Sequence, residues 1–394
     1  LACGSGENQW FIVEERSWEE RFIMDKSEVD RIARACTRWL GGHHRDRMMP
    51  HRMLASVVAS VGEAVAADVY GRGSLISDFE TEVAQLLGKE SAVFMPSGTM
   101  AQQIALRIWS DRRHSPHVAF HPTSHLEIHE QKGYQLLHGL HGVLVGPATG
   151  PMSLPDLDAV AEPLAALLLE LPQREIGGAL PAWGDLIAMI EWARLRGVFC
   201  HLDGARLWEC RPFYQRPYSE IAGLFDSVYV SFYKILGGIA GAALAGPADF
   251  IAEARIWQRR HGGNLVQLYP YVLSARMGLR ERLDRMEVYR DKAVEIASTL
   301  TSVPGIRVTP DPPQTNMMHV YLSGSKERLE TAALEISREI GLWLFHPLRA
   351  SAAPGQFMFE LSVGDAALDL TTSEIAAAFR DLMRRAEAGA DAIS

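Results

Sequence analysis

Between about Lys89 and Gly246 the chain alternates short apolar runs with longer stretches of helical periodicity. No other feature constrains the fold as much, because strands separated by helices pair in parallel and need helices over both faces of the sheet. Seven strands are predicted: Ser91–Met95, His117–Phe120, Gly142–Gly146, Ala166–Leu171, Val198–Leu202, Ser227–Ser231 and Ala242–Gly246. Runs such as Ala165–Leu169 and Val198–Cys200 are apolar at consecutive positions, as strands buried on both faces should be. Between them, Leu186–Arg196 carries apolar and charged residues at helical spacing.

Beyond Leu268-Tyr-Pro270 the pattern changes. Helix is predicted over Tyr271–Thr301 and Lys326–Ile340 and from near Thr371, with strands over Gly305–Val308, His319–Leu322 and Phe357–Leu361. The expected organisation is a helical segment (1–60) packing across both larger units, an α/β unit (61–268) with a mostly parallel seven-stranded sheet, and a smaller α+β unit (269–394). Residues 387–394 are expected to fray.

Charge and cysteine usage narrow the partners. Lys and Arg total 39 against 48 Asp and Glu, a net charge of −9, so no general attraction to nucleic acid or anionic membrane is expected. No apolar run approaches the roughly 18 residues of a membrane span. Four cysteines without a Cys-x-x-Cys pair give neither a disulfide framework nor a zinc ribbon, and point to a reducing, cytoplasmic setting. Leu-Ala-Cys at residues 1–3 resembles a lipoprotein start, but no charged and apolar stretch precedes it, so no lipid anchor is expected.

Three places carry chemistry. Ser97-Gly98-Thr99 joins the first strand to a helical pattern, where free N–H groups bind phosphate, although a serine there is also an ordinary N-cap. In His201-Leu-Asp-Gly-Ala-Arg206, Asp203 emerges where a buried strand ends, at the ligand-binding edge of an open sheet. Its partner is either a protonated pyridine nitrogen or Arg206. Lys234, in Ser231-Phe-Tyr-Lys-Ile-Leu-Gly-Gly238, follows the next strand among apolar residues. There an amine either loses basicity and becomes able to form a Schiff base or snorkels to solvent. Together the three are the parts that pyridoxal 5'-phosphate requires.

At these residues the chain resembles the threonine aldolase and aromatic amino acid beta-eliminating lyase family of pyridoxal-phosphate enzymes. The resemblance runs through Asp68-Val-Tyr-Gly71, Phe79-Glu80, Leu87-Gly-Lys-Glu90, Phe94-Met-Pro-Ser-Gly-Thr-Met100, His201–Arg206, Phe225-Asp-Ser-Val228 with Lys234, and Thr315-Asn316. It implies the aspartate-aminotransferase-like fold (fold type I) and a homodimer or homotetramer with sites near subunit interfaces. It further implies that Lys234 bonds the cofactor, Asp203 keeps its ring nitrogen protonated, and Ser97, Gly98 and Thr99 cradle its phosphate. His125, followed by Glu130 and Gly133, matches a histidine that stacks on the ring near the substrate hydroxyl. Arg206 matches an arginine facing the substrate carboxylate or the cofactor's phenolic oxygen, and Tyr70 a tyrosine near the site, on the substrate side, that can reach a neighbouring subunit.

Departures cluster around the substrate pocket. Val266 stands where the family has a phosphate-contacting arginine, Glu170-Leu-Pro-Gln-Arg174 replaces a Glu-Asn-Thr stretch, and the family's C-terminal carboxylate-binding arginine has no counterpart in Phe357–Ser362. Arg349 is the expected substitute. Gly42-His-His-Arg-Asp-Arg47 replaces the family's N-terminal motif, with His44 expected either toward substrate or in a solvated basic loop. His117, His121, His125 and His129 recur at every fourth position. Pro122 breaks the register, so at most His125 and His129 share a helix face, and no metal is expected.

The resemblance implies a lyase acting on a small amino acid. Retro-aldol cleavage of a β-hydroxy-α-amino acid to glycine and an aldehyde is the first expectation. β-Elimination, glycyl transfer from threonine to another aldehyde, and cofactor binding without turnover are the alternatives.

Overall fold

The computed structural model describes residues 26–388. Its large sheet contains β1 Ser91–Met95, β2 His117–Phe120, β3 His141–Leu144, β4 Ala166–Glu170, β5 Phe199–Gly204, β6 Ser227–Ser231 and β7 Ala242–Gly246. Their order is β1-β7-β6-β5-β4-β2-β3. Only β7 runs against its neighbours, because the loop from Ser231 to Ala242 is too short to hold a crossover helix. β3 stops at Leu144 rather than at Gly146, which takes a φ of 93° and turns the chain. Register sets Glu170 beside Asp203, and Asp203 beside Tyr229. The two acids therefore leave adjacent parallel strands together.

Aromatic packing covers both faces. On one, Phe79, Phe94 and Phe232 cluster with ring centroids 5.2–6.1 Å apart. On the other, Trp109 of the helix Gly98–Arg113 stacks on Phe199 at 4.1 Å and on Phe250 at 4.5 Å. Burying side chains of this size is worth about 1.5–3 kcal/mol each.

The second sheet is antiparallel: β8 Ile306–Thr309, β9 Met317–Ser323, β10 Arg349–Ala350 and β11 Gln356–Ser362, in the order β10-β11-β9-β8. The helix predicted over Tyr271–Thr301 is divided into Tyr269–Arg282 and Met286–Thr301 by a 3-10 turn at Leu283–Arg285. At this break Arg282, Arg285 and Tyr289 all reach the Asp365 carboxylate.

The N-terminal segment touches both sheets' surroundings. Arg38–Trp39 pairs in parallel with Leu342–Trp343, and the Gly42 N–H donates to the Ser362 carbonyl at 2.8 Å. Met53 and Val57 pack instead on Met277 beside the large unit. Leu-Ala-Cys at residues 1–3 and the C-terminal residues 389–394 lie outside the described residues. Among the described residues, Cys36, Cys200 and Cys210 are free and buried, and no helix is long and apolar enough to cross a membrane.

Candidate active site

The carboxyl edge of the parallel strands collects the polar groups that follow each apolar run. Asp203, at the end of β5, is 1% exposed. Its Oδ1 accepts from the Ala205 N–H at 3.0 Å and its Oδ2 from Gln102 Nε2 at 2.8 Å. Arg206, two residues beyond the strand end, turns instead to Glu360, at 3.8 Å. A buried carboxylate held by two neutral donors lacks a cationic partner, which a protonated pyridine nitrogen supplies.

Lys234 follows β6. Burial first, then the Arg206 charge, holds its amine below the ordinary lysine range, while Asp203, Glu170 and Glu209 oppose that shift. Two of these acids are perturbed in their turn. Burial and the Asp203 charge push Glu170 up to about 7, against the Arg174 N–H, Lys234 and Arg206. Burial pushes Glu209 up to about 7 against Arg206 and Lys234; it is 3% exposed and its Oε2 has no hydrogen-bond partner.

Ser97 precedes the helix Gly98–Arg113 in extended conformation, but its hydroxyl makes no capping bond. Serine and the first helical N–H groups thus remain available to an anion. Glycine is required at 98, since a Cβ there would lie 1.9 Å from the Tyr229 hydroxyl oxygen. We expect Gly98→Ala to destabilise the apoprotein by about 1–3 kcal/mol, the usual penalty of overpacking, measured by denaturant unfolding. The anion cradle, the buried unpaired carboxylate and the depressed lysine fit pyridoxal phosphate.

His125 opens a short helix, His125–Ile128. Its Nδ1 lies 3.0 Å from Glu130 Oε1, and the other Glu130 oxygen accepts from Gln103 Nε2 at 3.2 Å. With Nδ1–H donated to the carboxylate, Nε2 is left as the proton acceptor. Gly133 keeps this arrangement open: a Cβ there would sit 2.4 Å from Gln103 Nε2. His129 Nε2 faces a different acid, Glu175, at 2.8 Å.

A series of alternating charges runs along one side. Arg349 lies 3.7 Å from Glu175, Glu175 3.2 Å from Arg174, Arg174 Nε 2.8 Å from Glu360, and Glu360 3.8 Å from Arg206. Arg174, Arg349 and Glu360 line a cavity of about 440 Å³ with Trp39, Trp343 and His346.

The remaining expected residues lie further out. Tyr70 is 55% exposed and its N–H donates to the Val266 carbonyl. Asp68, two residues before it, accepts from the N–H groups of Gly71, Leu268 and Tyr269. His44 faces Asp369 at 3.5 Å, and its neighbour His43 reaches inward to the Ile235 carbonyl. Sequence reading does not single out Arg174, Glu360 or Glu209. Glu170 ends an apolar run as Asp203 does, and that shared signature is the signal that finds it.

Comparison with known proteins agrees with this geometry. Residues 49–323 match the family model described as beta-eliminating lyase. A candidate L-allo-threonine aldolase from Listeria monocytogenes, known from its crystal structure, superposes with a TM-score of 0.87 at 43% identity, over 91% of this chain and 99% of that one. The low-specificity L-threonine aldolase 1 of Arabidopsis thaliana is 30% identical over 261 residues, 64% of this chain and 73% of the relative. An aldolase from Penicillium aethiopicum is 30% identical over 300 residues, 72% of this chain and 75% of the relative.

Proposed function

The chain belongs to the beta-eliminating lyase family, and on that footing we propose that it is a pyridoxal-phosphate-dependent lyase cleaving the Cα–Cβ bond of a β-hydroxy-α-amino acid to glycine and an aldehyde. The observation that carries this reading is the gathering at one strand edge of Asp203, Glu170 beside it in register, Lys234 within reach of both charges, and His125, whose backbone N–H donates to Glu170 at 3.3 Å. The chemistry supplied by bound pyridoxal phosphate is an electron sink for bonds at the substrate's Cα.

The chain's own groups do the rest. Asp203 holds the proton on the ring nitrogen, Ser97, Gly98 and Thr99 take the phosphate, and Lys234 supplies the amine. Arg206 and Arg174 orient the substrate carboxylate. Their series sets three guanidinium groups, those of Arg174, Arg206 and Arg349, beside the carboxylates of Glu175 and Glu360. Orientation decides which Cα bond breaks. Nε2 of His125 takes the β-hydroxyl proton, with the Glu130 carboxylate steadying the imidazolium that results. His125→Ala should keep the cofactor bound and slow retro-aldol cleavage by about 10²-fold, the low end for loss of a general base; an unchanged rate removes the role.

Substrates and products test the whole reading. Purified protein with pyridoxal phosphate is offered glycine, threonine, phenylserine and β-hydroxyaspartate, and glycine plus an aldehyde is expected. Oxoacid and ammonia would reassign it to β-elimination, a requirement for a second aldehyde would reassign it to glycyl transfer, and an absorbance unmoved by every amino acid would leave a binder without turnover.

The same reading extends to assembly as a homodimer or homotetramer in the cytoplasm. Leu54 and Val58, exposed and four apart on the helix Pro50–Ala59, support an apolar contact stripe, and exposed Tyr70 is then the group offered to a neighbouring subunit. Light scattering of the purified chain reads the assembly directly.

A further inference from the structure

Lys234 is held in place by residues distant from it in sequence. The Gly237 N–H donates to the Lys234 carbonyl at 2.9 Å, closing a tight turn in which Gly237 has a φ of 70°. The next two carbonyls are claimed from outside the loop: His43 Nε2 donates to Ile235 O at 2.8 Å and Arg282 donates to Leu236 O at 3.1 Å. One carboxylate organises both donors. His43 Nδ1 and Arg282 Nε lie 3.2 and 3.0 Å from Asp365 Oδ2. The other oxygen accepts from the Tyr289 hydroxyl at 2.6 Å and from Arg285. The centre of the cluster is buried, with Asp365 4%, Arg282 6% and Tyr289 0% exposed, and Arg285 on its solvent side. Space is closed as well, since a Cβ on Gly278 would lie 2.3 Å from Leu236 O, and one on Gly237 would lie 3.3 Å from His43.

Asp365 stands just after β11 of the second sheet, His43 on the N-terminal segment, and Arg282 at the end of the helix Tyr269–Arg282. Three segments thus converge on the backbone that immediately follows one lysine. Loops are ordinarily the mobile part of a fold. This one is fixed by a charge-assisted bond from Arg282 and a second bond from His43, two side chains that both stand against one buried acid.

We propose that Asp365 is the positioning residue for Lys234, acting through His43 and Arg282 on the Ile235 and Leu236 carbonyls. The inference rests on the assignment of Lys234 to the cofactor made above. A pinned backbone leaves the amine at one height above the sheet edge. Without Asp365, both donors lose their shared anchor and the amine samples many positions.

A double-mutant cycle on the apoprotein tests this, with pyridoxal phosphate affinity read by equilibrium dialysis and folding read by thermal melting. Asp365→Asn should weaken pyridoxal phosphate binding about tenfold when Lys234 is present, a size typical of coupled neighbours, and slow the appearance of the visible band on mixing. In a Lys234→Ala background the same change should alter affinity less than about twofold, as for independent sites. Equal weakening in both backgrounds would assign Asp365 a general structural role and overturn the proposal, as would no change in either. Should Asp365→Asn fail to fold, His43→Leu removes the Ile235 contact together with His43's own contact to Asp365, leaves Arg282 on Leu236, and enters the same cycle with the same criteria. If Lys234→Ala by itself leaves both the band and the affinity intact, the lysine assignment fails, and the positioning role falls with it.

Discussion

Lys234→Ala, purified with excess pyridoxal phosphate, is expected to lack the visible absorbance of the lysine-bound cofactor and to turn over β-hydroxy amino acids about 10⁴-fold more slowly, the loss expected when an activated amine is removed. The large effect follows from the amine's surroundings. Burial and Arg206 lower its basicity, which raises the share present as the nucleophilic free base. Water cannot replace an amine on that edge, and no second lysine accompanies it in the loop Ser231–Ala242. The fold should suffer little, because two of the acids that act on the amine, Glu170 and Glu209, are already pushed up to about 7 and can take a proton when the cation goes. Arg206 remains to face Glu360. A melting temperature near that of the parent, with colour and activity gone, is the expected result. Retained colour and full turnover would reject the assignment.

Asp203→Asn should slow turnover about 10³-fold, the upper range for loss of one electrostatic stabiliser, while leaving the fold nearly intact. Asparagine matches aspartate in shape, and its oxygen can keep the bond from the Ala205 N–H. Its amide would meet Gln102 Nε2 donor to donor, but Gln102 Oε1 is buried without a partner in the parent. A flip of that amide restores a hydrogen bond. What the variant cannot restore is a negative charge facing the pyridine nitrogen, so the ring loses its proton and its pull on substrate bonds. Measured turnover, cofactor content and melting temperature separate the two effects. Turnover within threefold of the parent at full cofactor occupancy would refute the role given to Asp203.

The large sheet and its two central groups could be read from local pattern. Buried parallel strands are mostly apolar, so an acid at the end of such a run falls at the functional edge; Asp203 stands near the end of its strand in this way, and Lys234 comes three residues beyond its own. Glu170 obeys it as well and stands beside Asp203 in register. The departures from family pattern around Glu170–Arg174 and Phe357–Ser362 also lie where the substrate side is built, with Arg174 meeting Glu360 between them. The pairing itself was not legible, because 186 residues separate the two and no periodicity links a loop after β4 to a strand of another sheet. His43 and His44 show the same limit at short range. Neighbouring side chains on an irregular segment diverge, and composition cannot tell which one faces inward. The division of the helix predicted over Tyr271–Thr301 is similar, since no proline or glycine marks Leu283–Arg285, and the turn is set by what Asp365 gathers.

The alternating charges from Arg349 to Arg206 cross from one sheet to the other, and β11 supplies a single member of the row, Glu360. On the proposed reading, an incoming amino acid does more than find a seat. Its own acid end would compete for the guanidinium groups that Glu360 now faces, so docking and the grip between the two halves would draw on the same hands. Strand β11 would then be the hasp of a latch whose key is the molecule to be cut.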